Sequence, residues 1–371
     1  MRHKQGAGGR RRIAAGFAAL AALFSAVLLF GYNSFQDNLG TVQAPVPVVA
    51  RWDNVPATPV SWLLNATTPS NNVTGCSGSA TCIQQSVAAG FTTWTTAQIP
   101  IGGTPQTLTD VVVQYAGAST QTSPNYQDCQ NVVGFSDTGG SDFSTGTIAF
   151  TQIATVTRPA SVPSGTSFQY TCSGAANKTC SLDDCMADAD IEFNPNVQFT
   201  TSSTIPANTF GLQSAATHEE GHLLGLDHSG IAHTVMFPFG DTTAAGEQTQ
   251  LATDDAIGIS FLYPSANFST ATGVISGTVS LNSSGIFAAH VVAVSAVTGD
   301  AVTEGLTAPD GSYTLTGVPP GSYFVLALPL ASNSDSGILT LDNFSGWECG
   351  YADAACTTVP QNPTSYTGRY H

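Results

Sequence analysis

The chain has 371 residues, 42% of them hydrophobic and only 9% charged, with a net charge of −16. That length allows one large core and a smaller second domain, and the apolar share excludes wholesale disorder. Beyond Ile13 only four basic residues (Arg51, Arg158, Lys178, Arg369) stand against 25 acids, so nucleic acid and anionic membrane surfaces are poor partners.

Residues 1–32 set a basic flank ending at Arg12 before an uncharged apolar run from Ile13 to about Phe30. This is the layout of a secretory signal; left uncut, about 20 apolar residues also suffice for an N-terminal membrane anchor. Either reading puts the rest of the chain outside the cell, secreted or held on the outer membrane face. Eight cysteines, all downstream, fit disulfides of an oxidising compartment. Closeness pairs Cys76 with Cys82 and Cys349 with Cys356, while Cys129, Cys172, Cys180 and Cys185 stay unassigned.

Residues 33–49 read as a Pro-containing linker. VSWLLN (60–65) then has the composition of a strand, and CIQQSVAAGFTTWTTA (82–97) spaces Ile83, Val87, Phe91 and Trp94 as one buried helix face. TDVVVQYAG (109–117), NVVGFSD (131–137), TGTIAFTQI (145–153) and ADIEFNPNVQF (189–199) read as further strands between turn-rich loops. A second helix starts between Asn208 and Ser214, and TDDAIGISFLY (253–263) is a third, with Thr253 as N-cap and Asp254 and Asp255 in its first turn. Residues 265–272 form a polar linker. From 273 to 330 the pattern alternates with period two around TGD and PDGS turns, which predicts a small all-β domain. Residues 331–371 form a cysteine-containing tail without an assigned fold.

The chemistry concentrates in HEEGHLLGLDHSGIAHTVMFP, 218–238. His218 and His222 are four apart and share one helix face, while Gly225 lets the chain leave the helix and return His228 to the same point. Three neutral imidazoles leave a fourth position open, as in a catalytic rather than a structural zinc site. Glu219, beside the first ligand, can take a proton from zinc-bound water and return it to a leaving nitrogen. The full H-E-x-x-H-x-x-G-x-x-H pattern is far more specific than its first half.

On these residues the chain resembles the metzincins and, within them, the matrixins, the group of the matrix metalloproteinases. HTVMFP stands at the matrixin distance from the third histidine, LDHS is their usual form, and the elements between 50 and 264 keep their order. The resemblance implies zinc on His218, His222 and His228, Glu219 as general base, and Met236 as the Met-turn residue beneath the metal. It also implies a substrate strand at TGTIAFTQI, and Phe237, Pro238 and Phe239 are candidates to line the pocket after the scissile bond, although Gly240 replaces a tyrosine common there. Glu220 departs from the usual apolar residue and reads as exposed rather than catalytic; His233 reads as a loop residue. SLDDCMADAD offers Asp183, Asp184, Asp188 and Asp190 as calcium ligands, with a solvated acidic loop as the alternative. GVISGTVSL and PDGSYTLTGVPPGSYFVLAL resemble carboxypeptidase regulatory-like or prealbumin-like sandwiches, and His290 reads there as an ordinary strand residue.

The expected architecture is an α+β zincin-type catalytic domain at 50–264, a mixed twisted sheet plus three helices, followed by a small all-β sandwich. The expected function is an exported zinc endopeptidase acting on extended protein or peptide substrates. The competing reading is an extracellular adhesion or scaffold protein whose metal fold is not catalytic.

Overall fold

A computed structural model describes residues 32–67, 72–76, 79–125, 127–135, 143–174, 176–240, 248–332, 338–353, 355–363, 366 and 369–370. The signal or anchor segment before Tyr32 lies outside these residues. Among the described residues no helix is long and apolar enough to cross a membrane.

Residues 33–49, the expected linker, form a hairpin of β1 (Gln36–Asn38) and β2 (Pro47–Val49). Strand β3 (Val60–Leu64) leads to helix α1 (Ala80–Thr95), which buries Ile83, Val87, Phe91 and Trp94 as its spacing predicts. Then follow β4 (Val113–Ala118), β5 (Val132–Phe135), β6 (Ala149–Thr157) and β7 (Asp184–Phe193). Their order in the sheet is β4-β3-β5-β7-β6, parallel except for the antiparallel β7–β6 pair. A mixed sheet was expected, and β6 is its last strand. Helices α2 (Leu212–Leu223) and α3 (Thr253–Leu262) complete this part, and one apolar core is shared by α1, α2, α3 and the sheet.

Thr253 is not the N-cap of α3. Ala252 holds that place, because the Asp255 carboxylate reaches back to accept the Ala252 N–H at 2.9 Å and does the capping that a side chain at the N-cap would otherwise do. Residues 265–272, expected as a polar linker, contain the short helix α4 (Phe268–Ala271), whose Phe268 is buried in the core.

The C-terminal part is rich in strands. β8 (Gly273–Thr278) pairs with β11 (Ser312–Val318), while β9 (His290–Ser295), β10 (Ala301–Leu306), β12 (Tyr323–Leu328) and β13 (Arg369–Tyr370) form a second sheet ordered β10-β9-β12-β13. The tail folds into a 3₁₀ turn (Leu341–Phe344), α5 (Ser345–Glu348) and another 3₁₀ turn (Cys349–Tyr351). It is anchored by Phe344, Trp347 and Tyr351 against Phe287. Both pairings expected from closeness form, and Cys129–Cys172 and Cys180–Cys185 account for the other four cysteines.

Candidate active site

Helix α2 carries the site, and donors from outside hold it at its middle and at its C-terminal end. The Trp94 indole N–H donates to the Thr217 carbonyl at 2.8 Å; at the C-terminal end the Trp52 indole and the Tyr263 hydroxyl donate to the carbonyls of Leu223 and Leu224, both at 2.7 Å. Those last-turn carbonyls have no partner inside a helix, so the half-buried Trp52 and the buried Tyr263 satisfy them. The helix stops where Gly225 takes φ +104°. Leu226 N–H then donates to Gly221 O and Gly225 N–H to His222 O, the paired bonds of a Schellman turn. This turn brings His228 back beside His218 and His222, as the glycine in the motif implied.

The three imidazoles converge: one ring nitrogen from each lies within 4.8 Å of the others, and His222 Nε2 and His228 Nε2 are 3.3 Å apart. Their other nitrogens are already used. His218 Nδ1 faces the Val235 carbonyl at 2.6 Å, His222 Nδ1 the Leu226 carbonyl at 2.8 Å and His228 Nδ1 the Asn343 carbonyl at 2.5 Å. A carbonyl can only accept, so each Nδ1 carries the proton and each Nε2 presents a lone pair to a common point. That is the donor set and the outer-shell arrangement that a zinc ion requires.

Comparison with known proteins agrees with this geometry. Residues 79–264 match the family model described as Matrixin, half of the chain. The chain belongs to the matrixin family. It is 39% identical over 79 residues to Metalloendoproteinase 2-MMP of Arabidopsis thaliana, covering 21% of this chain and 20% of that protein. It is 46% identical over 52 residues to Metalloendoproteinase 5-MMP of the same plant, 14% of each chain, and 39% identical over 79 residues to Metalloendoproteinase 1 of Glycine max, 21% of this chain and 25% of that one. The matched segments thus span a quarter or less of these relatives. Matrixin membership makes zinc the metal that the three histidines fit.

Around these ligands the matrixin site is built from several elements. Met236 is fully buried; a methyl added at Gly221, in the middle of the motif, would meet its sulfur at 2.3 Å and the Trp94 ring at 2.7 Å. Met236 therefore packs against α2 only because residue 221 has no side chain. Asp255 fixes the Met-turn by accepting the N–H groups of Val235 (2.9 Å) and Met236 (3.1 Å), and burial pushes its carboxyl up to about 6 against the pull of those bonds. Asp254 accepts the Ser229 hydroxyl at 2.6 Å and the Glu304 N–H at 3.1 Å, so both first-turn acids of α3 are buried and engaged in structure.

Glu219 is buried, and the Thr151 hydroxyl of β6 lies 2.8 Å from its Oε2 and 3.0 Å from its own carbonyl. Thr151 was not legible as a site residue, because nothing in TGTIAFTQI shows which strand positions face α2. Glu220 corrects an expectation: it is fully buried, not exposed, and burial raises its carboxyl well above the usual range. It fits because the facing residue on α1 is Gly90, where a Cβ would stand 2.3 Å from Glu220 Oε2. His233 is an exposed loop residue with φ +67°. Pro238 is buried and the Phe237 and Phe239 rings contact each other at 5.4 Å; residues 241–247 lie outside the described residues.

The four aspartates proposed for calcium do not meet as one group; only Asp188 and Asp190, two apart on β7, act on one another. Asp183 pairs with Arg158 at 2.5 Å, and Asp184 is buried at the start of β7. Asp188 accepts Cys129 N–H, and Asp190 accepts the N–H groups of Asn125 and Val132 and the Gln121 amide. Among the described residues the three histidines are the one group of His, Cys, Asp and Glu that could hold a metal. His290 sits in β9 as expected, but it is buried against Gly230 with its Nε2 3.0 Å from Glu304 Oε2, so it packs on the loop after the third ligand.

Proposed function

We propose that this matrixin is an exported zinc endopeptidase that hydrolyses internal peptide bonds of extended protein substrates. The observation that carries the reading is the commitment of all three Nδ1 atoms to backbone carbonyls, which turns three Nε2 lone pairs to one point. Zinc held there supplies a Lewis acid that polarises the scissile carbonyl and makes water more acidic. Glu219 takes the proton of the attacking water and returns it to the leaving nitrogen. Thr151 holds the Glu219 carboxylate in place with a hydroxyl bond, so that it need not be ordered during the reaction. The substrate lies extended along β6, the last strand of the sheet, and Phe237 and Phe239 form part of the wall after the scissile bond. The basic-then-apolar N-terminus and four disulfides support export. The β8–β12 part, read as a regulatory-like sandwich of residues 273–330, serves as a brace for the site through Glu304 rather than as an adhesion module on a tether.

The test is cleavage of a quenched peptide library by the full chain beside Glu219→Ala, with zinc content determined for both. One zinc in each, with cutting only by the unchanged chain and a loss of about 10²- to 10⁴-fold in the variant, is the expected result. Zinc in both and cutting by neither would remove the endopeptidase reading in favour of a scaffold.

A further inference from the structure

Two of the three ligand-orienting carbonyls belong to the zinc-binding part itself, Val235 and Leu226. The third does not. Asn343, whose carbonyl accepts the His228 Nδ1–H at 2.5 Å, lies 115 residues further along the chain, beyond all but the last strand of the C-terminal sheets.

The same tail makes a second connection. Asp227 Oδ1 accepts the His228 backbone N–H at 2.8 Å, and its Oδ2 accepts the Trp347 N–H at 2.6 Å. One carboxylate therefore ties the backbone of the third ligand to α5, while the Asn343 carbonyl ties its ring. Gly346 lies between these bonds, and a Cβ there would stand 2.3 Å from the Phe35 ring and 2.8 Å from Asp227 Oδ2. The tail has its own supports: Trp347 stacks on Phe287 at 5.5 Å, Cys349 is bonded to Cys356, and the Ala352 carbonyl accepts the Asn38 amide at 2.8 Å. It is held firmly enough to hold something else.

We propose that the segment Thr340–Tyr351 is a working part of the metal centre, in which Asn343, Trp347 and Asp227 position His228 for zinc. A His228 ring without the Asn343 carbonyl loses the bond that selects its tautomer and orientation, and outer-shell partners of this kind set metal affinity by about 10- to 100-fold. The inference rests on the three histidines binding zinc and not on peptide cleavage.

The experiment measures zinc affinity of the full chain by competition with a chromophoric chelator. Gly346→Ala places a methyl where the tail meets Asp227, and it is expected to raise the zinc Kd by about 10- to 100-fold. In a His228→Ala chain Asp227→Asn is expected to leave the weaker Kd unchanged, because the Asp227 carboxylate ties the tail to the backbone of residue 228; Gly346→Ala is not used for this control, because its methyl also meets the Phe35 ring that packs on His222. Asp227→Asn serves where Gly346→Ala does not fold: it is the same size but puts an amide donor against one of two N–H groups, and it is expected to weaken zinc in the same direction. Cobalt substituted for zinc gives a second readout, an altered visible spectrum in each variant. Unchanged affinity in both variants overturns the proposal, and so does an equal loss in the His228→Ala background. A chain that binds zinc normally but cuts no peptide would sink the endopeptidase reading and leave this one standing.

Discussion

Two regions of this matrixin look alike in composition and behave differently in the fold. The motif at 218–228 collects three histidines, and the SLDDCMADAD stretch collects four aspartates. In the first, every ligand spends its far nitrogen on a carbonyl and turns its near one to a common point. In the second, Asp190 spends its two oxygens on three donors of the 121–132 loop, and Asp188 turns to Cys129 N–H in the same loop. A metal site is thus distinguished less by which donors gather than by which of their atoms are left facing one another. Asp188 and Asp190 hold a loop to a strand.

This contrast is broken most directly by adding metal. Stripping the protein and returning zinc at a thousandfold above its Kd is expected to stabilise the fold by about 4 kcal/mol, which is on the order of 10 °C in Tm for a domain of this size. Millimolar calcium is expected to leave Tm unchanged. Calorimetry of the stripped protein with each ion decides it; a calcium shift comparable to the zinc shift would put a cation among the aspartates after all.

The next effect is smaller. Asp190→Ala removes the acceptor of Asn125 N–H, Val132 N–H and the Gln121 amide, and orphaned buried donors cost about 1–3 kcal/mol each. A loss of about 3 kcal/mol in denaturant unfolding is expected, and none would mean that the loop is held by other bonds.

How much of this was legible follows from where each constraint lies. His218, Glu219 and His222 are set by helix periodicity and His228 by one glycine, so local pattern sufficed for all four. Closeness likewise paired Cys76–Cys82 and Cys349–Cys356, whereas Cys129–Cys172 spans 43 residues and depends on how the loop meets β7. Glu220 was misread because its burial depends on Gly90 of a different helix, 130 positions away. Thr151, Asn343 and Trp347 were invisible for the same reason: each acts on the site through a contact between elements far apart in sequence, two of them through backbone atoms that every residue type shares. The tail carried no periodic pattern, yet it reaches the third zinc ligand.

The smallest expected effect concerns acidity. Asp188 and Asp190 lie two apart on β7, and burial raises both carboxyls above their ordinary range, Asp190 and Asp128 adding to the rise at Asp188. The backbone N–H of Cys129 and the Lys178 ammonium oppose it at Asp188, and the N–H groups of Asn125 and Val132 oppose it at Asp190. Because the folded values are raised, the folded chain keeps protons that the unfolded chain has already released above about pH 4. The stability they contribute is therefore full below that pH and is lost as pH rises through the folded values. The protein is expected to unfold at lower urea at pH 8 than at pH 5.5, and Asp188→Asn, which cannot ionise, is expected to flatten that slope by about 1 kcal/mol across the interval. A slope unaltered by Asp188→Asn would place the acid dependence elsewhere, with the buried Glu220 as the next group to replace, and the strand would then hold its loop with ionised carboxylates after all.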